Sequence, residues 1–473
     1  MIDTFWRADG GRGVMFLRTL VPVSFGVLVG GLVAVEPRAG LAPAAVAIAV
    51  LLARVQWVRL PVIALGAIFA LQSSSDLSLT KLAYFGLAAA AAAPAVVSCA
   101  RLASIPDWSS PLLKATAVLA LALAGSLLVS IAHGIDPAWW LRDSLSYWLL
   151  LIAGIVAVDA GHAQGRKARS VVEWCFFLAA VGSSVAFAVQ WIHRRDLVAF
   201  PVDAILLPSF FLPLAALLYV VANGVGRRGR LAIVPVGGLI AIALAASGAR
   251  LVLSLLPPLA VVAVRTLARS PRQALISGTV AVAALALGLS LASIAFGGPQ
   301  QLTPYVTRFE TIPTLLSAPL ADQSFESRAL QQETAVELFL DHPLAGLGPG
   351  YLYYVTTGPV LPYFTVNLDA PASYLSKFGL VGLAALFALS AVYVSSIRRL
   401  PSSPTRLVLA VYLAFGAAWA VLISPPMEDK GFSLGIMFLL ALSASSRLAP
   451  SGERNDGVTP QLTASPAHPD PRP

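Results

Sequence analysis

Charge is what this chain has least of. Only 12% of its 473 residues are Asp, Glu, Lys or Arg, where ordinary soluble domains carry about 25%. Hydrophobic residues make up 58% of it and the mean hydropathy is +0.80. The apolar residues come in blocks long enough to cross a bilayer, along the whole length, which excludes a soluble globular class. The strict alternation of a lipid-facing β-barrel is missing too. Helices are then the spanning element, because backbone polar groups in lipid must be paired within the segment. Cysteine is scarce: Cys99 and Cys175 both sit in apolar segments, so there is neither a disulfide framework nor a zinc spacing. There is no P-loop, no glycine-rich dinucleotide fingerprint, no HExxH and no acidic triplet of the nucleotide-sugar transferase kind. These absences argue against nucleotide-driven chemistry in the cytoplasm. The opening MIDTFWRADGGRGVMFLRTL carries basic residues before an apolar stretch, with no clean small-residue cleavage site after it. It reads as a retained first span.

Hydropathy places spans at 17–35, 41–55, 58–72, 82–99, 112–132, 144–160, 171–192, 203–222, 231–247, 250–267, 273–296, 373–396, 406–424 and 431–446. The second and third are short enough to form a re-entrant pair. The expected fold is an all-α polytopic bundle of 12–14 spans with one long extracytoplasmic loop containing short helices. About eleven spans occupy 1–297, the loop 298–372, about three spans 373–446, and a Pro- and Ser-rich disordered cytoplasmic tail 447–473.

The formal net charge is +9. In a chain of spans this reads as topology rather than as nucleic-acid binding. With the N-terminus inside and alternating spans, every inner loop is basic, from Arg7, Arg12 and Arg18 to Arg398, Arg399 and Arg406. The outer side receives Arg38, Lys81, Arg142, Arg194, Arg195, Arg250, Arg308, Arg328, Lys377 and Lys430. Both termini are therefore expected in the cytoplasm. Arg142, Arg194 and Arg195 either recognise an acidic glycan or a lipid pyrophosphate, or are interfacial charges balanced by Asp143, Asp196 and Asp203.

Within the long loop a helix is expected over about 325–340. Ser324 is placed to cap it, Glu326 suits its first turn, and Asp341-His342-Pro343 stops it. Arg328, Gln332, Ala335 and Phe339 share one face. Glu326, Glu333, Glu337 and Asp341 fall opposite, as a solvated face does. Arg328 lies near the start of this helix, where the dipole disfavours a cation, so it needs an anion. Glu326 or a phosphate meets that need, and a guanidinium grips phosphate oxygens in a bidentate fork. Arg250 sits in the tight turn Ser247-Gly248-Ala249-Arg250 between two spans. It is either a functional cation at membrane depth or an interfacial side chain snorkelling to water. The run LDHPLAGLGPGYLYYV over 340–355 has glycines for a close-packed turn. Its aromatics Tyr351, Tyr353 and Tyr354 suit a membrane interface or a sugar face. His342, before Pro343 at a helix end, reads as structural.

Three stretches together resemble the O-antigen ligase and polymerase family of bacterial envelope glycosyltransferases. They are SGAR at 247–250, ESRALQQETAVELFLDHPLAGLGPGYL at 326–352, and SYLSKFGLVGLAALF at 373–387. The resemblance implies a donor glycan linked to polyprenyl pyrophosphate on the outer leaflet of the cytoplasmic membrane. The glycan passes to a glycan or glycolipid acceptor hydroxyl, with no metal, nucleotide or other cofactor and no nucleic acid. It implies that Arg250 and Arg328 hold the donor pyrophosphate; Tyr351 and Tyr374 are expected as further substrate contacts. The family's His-Asn pair is absent; the corresponding stretch reads Asn367-Leu368-Asp369-Ala370-Pro371. Asp369 is either the catalytic base in place of that histidine or a helix cap. The departure fits a divergent polymerase better than a ligase. A lipid-linked glycan flippase or other transporter is the alternative class, although no internal repeat is visible.

Overall fold

The computed structural model describes residues 51–70 apart from Ala53, then 79–101, 107–162, 166–193, 211–223, 256–269, 323–355, 363–365, 368, 370–422 and 424–445, with isolated positions at 271, 272, 275 and 279. The expected spans 17–35 and 231–247, most of 41–55 and 273–296, and the tail 447–473 lie outside the described residues.

Among the described residues the fold is all-α. Its helices are α1 (Gln56–Ala70), α2 (Leu79–Arg101), α3 (Ser110–Ala132), α4 (Pro137–His162), α5 (Arg166–His193), α6 (Phe211–Asn223), α7 (Leu256–Arg269), α8 (Gln323–Asp341), α9 (Ser373–Arg399), α10 (Pro404–Leu422) and α11 (Lys430–Ser445). A two-stranded antiparallel ribbon, β1 (Tyr353–Val355) with β2 (Tyr363–Thr365), sits between α8 and α9 and pairs Tyr354 with Phe364. The segments Lys81–Cys99, Ser110–Ala132, Pro137–Gly161, Ser373–Arg399 and Pro404–Leu422 are each long and apolar enough to cross a membrane. By helix length and hydropathy this is a multi-pass membrane protein. The loop helix α8 starts before Ser324, at Gln323, so Ser324 lies inside the helix rather than capping it.

Helices α4 and α11 form the centre. Every residue of α11 from Gly431 to Ala444 is buried, as expected of a helix apolar all round. Small residues let its neighbours approach: a Cβ on Gly161 of α4 would strike that of Ala444, and one on Gly435 would strike the Tyr412 ring of α10. The peripheral helices present the opposite character. Leu121 and Leu128 of α3, Phe387 of α9 and Leu422 of α10 are 67–75% exposed. An apolar surface this continuous is one that lipid covers.

The polar residues sort to the two ends of the bundle. At one end Arg59 pairs with Asp159, both almost wholly buried, and Arg59 Nε donates to Leu52 O at 2.6 Å. There too Arg399 donates to Asp107 O at 3.0 Å, and Thr405 Oγ1 to Asn223 Oδ1 at 3.2 Å. The opposite end gathers Lys377, Asp143 and Glu428 around the start of α9.

Candidate functional site

The site begins with a break in a helix. Gly379 of α9 has φ 59° and ψ −159°, a conformation essentially reserved for glycine. The break abolishes two ladder bonds, those that Leu380 and Val381 N–H would give to Ser376 and Lys377 O. The run after α8 replaces both. Leu380 N–H donates to Pro343 O at 2.9 Å and Val381 N–H to Leu344 O at 3.1 Å. In return Leu347 N–H donates to Ser376 O and Gly348 N–H to Lys377 O, each at 2.9 Å. Four backbone groups that would be orphaned are thus satisfied reciprocally. The His-Pro-Leu-x-Gly-x-Gly run is an insert that fills a gap in a membrane helix. Tyr374 bridges the same break, its O–H donating to Gly382 O at 3.0 Å. Gly379→Ala therefore forces a side chain into a glycine-only conformation and against Leu344. We expect it to cost about 2–4 kcal/mol, read as a lowered midpoint of unfolding in detergent.

Just before the break, Lys377 points into the protein and is wholly buried. Its ammonium donates to Asp143 Oδ1 and to Glu428 Oε1, each at 2.8 Å. Asp143 Oδ2 accepts from Gly350 N–H at 2.8 Å, and Tyr147 O–H donates to Glu428 Oε1 at 3.0 Å. One lysine thereby ties α4, α9, the glycine run and the short 3-10 turn Pro426–Glu428 into one unit. Burial raises the Glu428 carboxyl above its ordinary range, and the Lys377 ammonium opposes the rise. Tyr353, whose phenol burial pushes up, meets Ser376 Oγ at 3.0 Å. Ser130 of α3 donates to Pro349 O at 2.9 Å, and His133 meets His342 edge to face with centroids 4.7 Å apart.

The loop helix α8 docks on the same unit. Gln332 accepts from Ala372 N–H at 3.0 Å, and Ala335 is buried with Tyr353, Leu368, Ala370 and Ala372. Glu326, Glu333, Glu337 and Asp341 are exposed, so the acidic stripe is a solvated face. Arg328 is partly exposed and lies one turn before Gln332, on the face turned to α9. Tyr351 is partly buried against this cluster, its ring 5.2 Å from that of Tyr353. Tyr374 is 9% exposed and packs on Phe378 and Tyr147. Arg250 and Asp369 lie outside the described residues, although Leu368 and Ala370 on either side of Asp369 are buried. Arg328, Tyr351 and Tyr374 thus come to one end of the bundle, with both tyrosines engaged in packing.

Sequence reasoning missed the Lys377–Asp143–Glu428 network. The available signal was a lysine four residues into an apolar span, where ionisable groups are costly and marked by function or by a partner. A second charged group lies beside the network. Arg142 stacks over the Trp139 ring at 4.8 Å, and Lys81, Arg142 and Asp429 are the charged neighbours of Lys430. Among the described residues no three His, Cys, Asp or Glu gather as a metal site. No family model, curated protein or solved structure matches this chain.

Proposed function

We propose that this chain is a membrane glycosyltransferase that transfers or polymerises a glycan carried on polyprenyl pyrophosphate. It works at the outer face of a bacterial cytoplasmic membrane, with both termini inside. The observation that supports this reading most is the joining of two separate sequence stretches. The run 326–352 and the run 373–387 fold into one unit, one inserted into the other's broken helix. Those are two of the three stretches on which the family resemblance rests. The helix that bears Arg328 is thereby held on the end of the bundle where α9 begins.

The chemistry follows from charge. An acceptor hydroxyl attacks the anomeric carbon, the bond from that carbon to the phosphate oxygen breaks, and the polyprenyl diphosphate leaves with the bonding electrons. Negative charge grows on the leaving group, so cations fixed in a partly dry place stabilise the transition state more than the ground state. Arg328 and Arg250 supply the guanidinium groups. Asp369 accepts the hydroxyl proton.

In the native host, Arg250→Ala and Arg328→Ala are each expected to shorten or abolish a surface polysaccharide while the protein stays in the membrane at normal level. Polysaccharide of normal length and amount in both variants contradicts the transferase reading.

A further inference from the structure

Two of the five histidines in the chain meet outside the Lys377 network. His133 ends α3. Gly134, at φ 74°, turns the chain there, and Ile135 N–H returns to Ser130 O at 2.9 Å. His342 ends α8. Its N–H reaches Leu338 O and Phe339 O, each at 3.2 Å, and its carbonyl accepts from Gly346 N–H at 3.0 Å. Both backbones are therefore fixed. Ser130 Oγ, donating to Pro349 O at 2.9 Å, fixes one against the other. The two imidazoles lie 4.7 Å apart at their centroids, with their planes at 78°. His133 is exposed and His342 half-buried, so the pair lies at the surface.

Edge-to-face packing accounts for the contact between the rings. A hydrogen bond adds chemistry to it. His133 Nδ1 meets Val129 O at 2.9 Å. A carbonyl only accepts, so Nδ1 carries the proton, and in the neutral ring Nε2 keeps a lone pair. That bond caps the last turn of α3. A backbone carbonyl on the remote nitrogen is also the arrangement that orients a metal-bound imidazole. The spacing fits one ion. A metal–nitrogen bond of about 2.0–2.1 Å sets an imidazole centroid about 3.2 Å from the metal. Two rings on neighbouring positions then stand about 4.5 Å apart at a right angle and about 5.2 Å apart at the tetrahedral angle. The observed 4.7 Å falls between them.

We infer that His133 and His342 form a two-histidine site for a divalent transition metal ion, Zn2+ or Cu2+. Imidazole nitrogen selects these ions over Mg2+ and Ca2+, which take oxygen ligands. Among the described residues no third His, Cys, Asp or Glu joins the pair, so water completes the coordination and the site is open. The ion ties the end of α3 to the turn from which Pro343 and Leu344 enter the break in α9. The site is independent of the glycan-transfer reading and involves none of the residues given a part in that chemistry.

The test uses the full chain in detergent, purified without a histidine tag and stripped with a chelator. Zn2+ is expected to raise its unfolding temperature. Cu2+ is expected to give an electron paramagnetic resonance spectrum with two coordinated imidazole nitrogens. His133→Gln and His342→Gln are each expected to weaken Zn2+ by more than about tenfold, since even an outer partner of a ligand is worth about 10–100-fold. Each variant is also expected to leave at most one nitrogen in the Cu2+ spectrum. His162, His193 and His468 remain in both variants, so binding at those histidines would survive the substitutions. Without metal both variants are expected to unfold near wild type, because the backbone bonds that hold the two turns remain. Zn2+ that binds both variants as it binds wild type overturns the site. So does a wild type that binds no Zn2+ below about 1 mM, which leaves the rings as packing only. Where a variant fails to fold, the wild-type Cu2+ spectrum decides: one imidazole nitrogen, or none, overturns the pair.

Discussion

Lys377→Met is expected to lower stability by about 3–5 kcal/mol, the usual cost of removing one partner from a buried ion pair. The magnitude follows from what is left behind. Lys377 is wholly buried and bridges Asp143, 1% exposed in its side chain, to Glu428, 13% exposed. Methionine fills the volume but strands two carboxylates in one pocket, and their repulsion adds to the desolvation already imposed on both. Asp143 also holds Gly350 N–H, and Glu428 holds the Tyr147 hydroxyl. Neither is therefore free to swing out to water without orphaning another group. The double change Lys377→Met with Glu428→Gln is expected to recover part of the loss. Reversible unfolding in mixed micelles measures both, and a single variant as stable as wild type would show that the network carries no structural weight.

Arg328→Ala is expected to cut glycan transfer by about a hundred- to a thousandfold, the range for removing one fixed donor to a developing anion. The protein is expected to stay folded, because α8 is held by Gln332 and by the burial of Ala335. The loss belongs in kcat more than in KM if the guanidinium acts on the leaving diphosphate rather than on the resting donor. Lys is a poor replacement, because a point charge lacks the bidentate fork. Arg328→Lys is accordingly expected to recover only part of the rate.

Much of the scaffold was legible because apolar length dictates a span. The expected 112–132 and 373–396 are α3 and the body of α9, and the loop helix over 325–340 is α8 with small extensions. Its acidic face was legible from periodicity alone. The glycine run was legible as a turn but not as a plug, because nothing local announces that another helix lacks two hydrogen bonds. Gly379 looks like any small residue in an apolar span until its φ is known. The Lys377 network was hidden by distance. Its partners lie 234 and 51 residues away, and Tyr147 reaches Glu428 across 281. In the sequence Lys377, Lys81 and Lys430 are simply three of the basic residues on the outer side.

The most direct measurement reconstitutes the purified chain in liposomes with a polyprenyl-diphosphate glycan and an acceptor glycan, and follows both joined glycan and liberated polyprenyl diphosphate. The two products are expected to appear in equal amounts, and to fall together in Arg328→Ala. Donor that crosses the bilayer intact, with no diphosphate lipid released by a correctly folded protein, would contradict group transfer and identify a carrier instead.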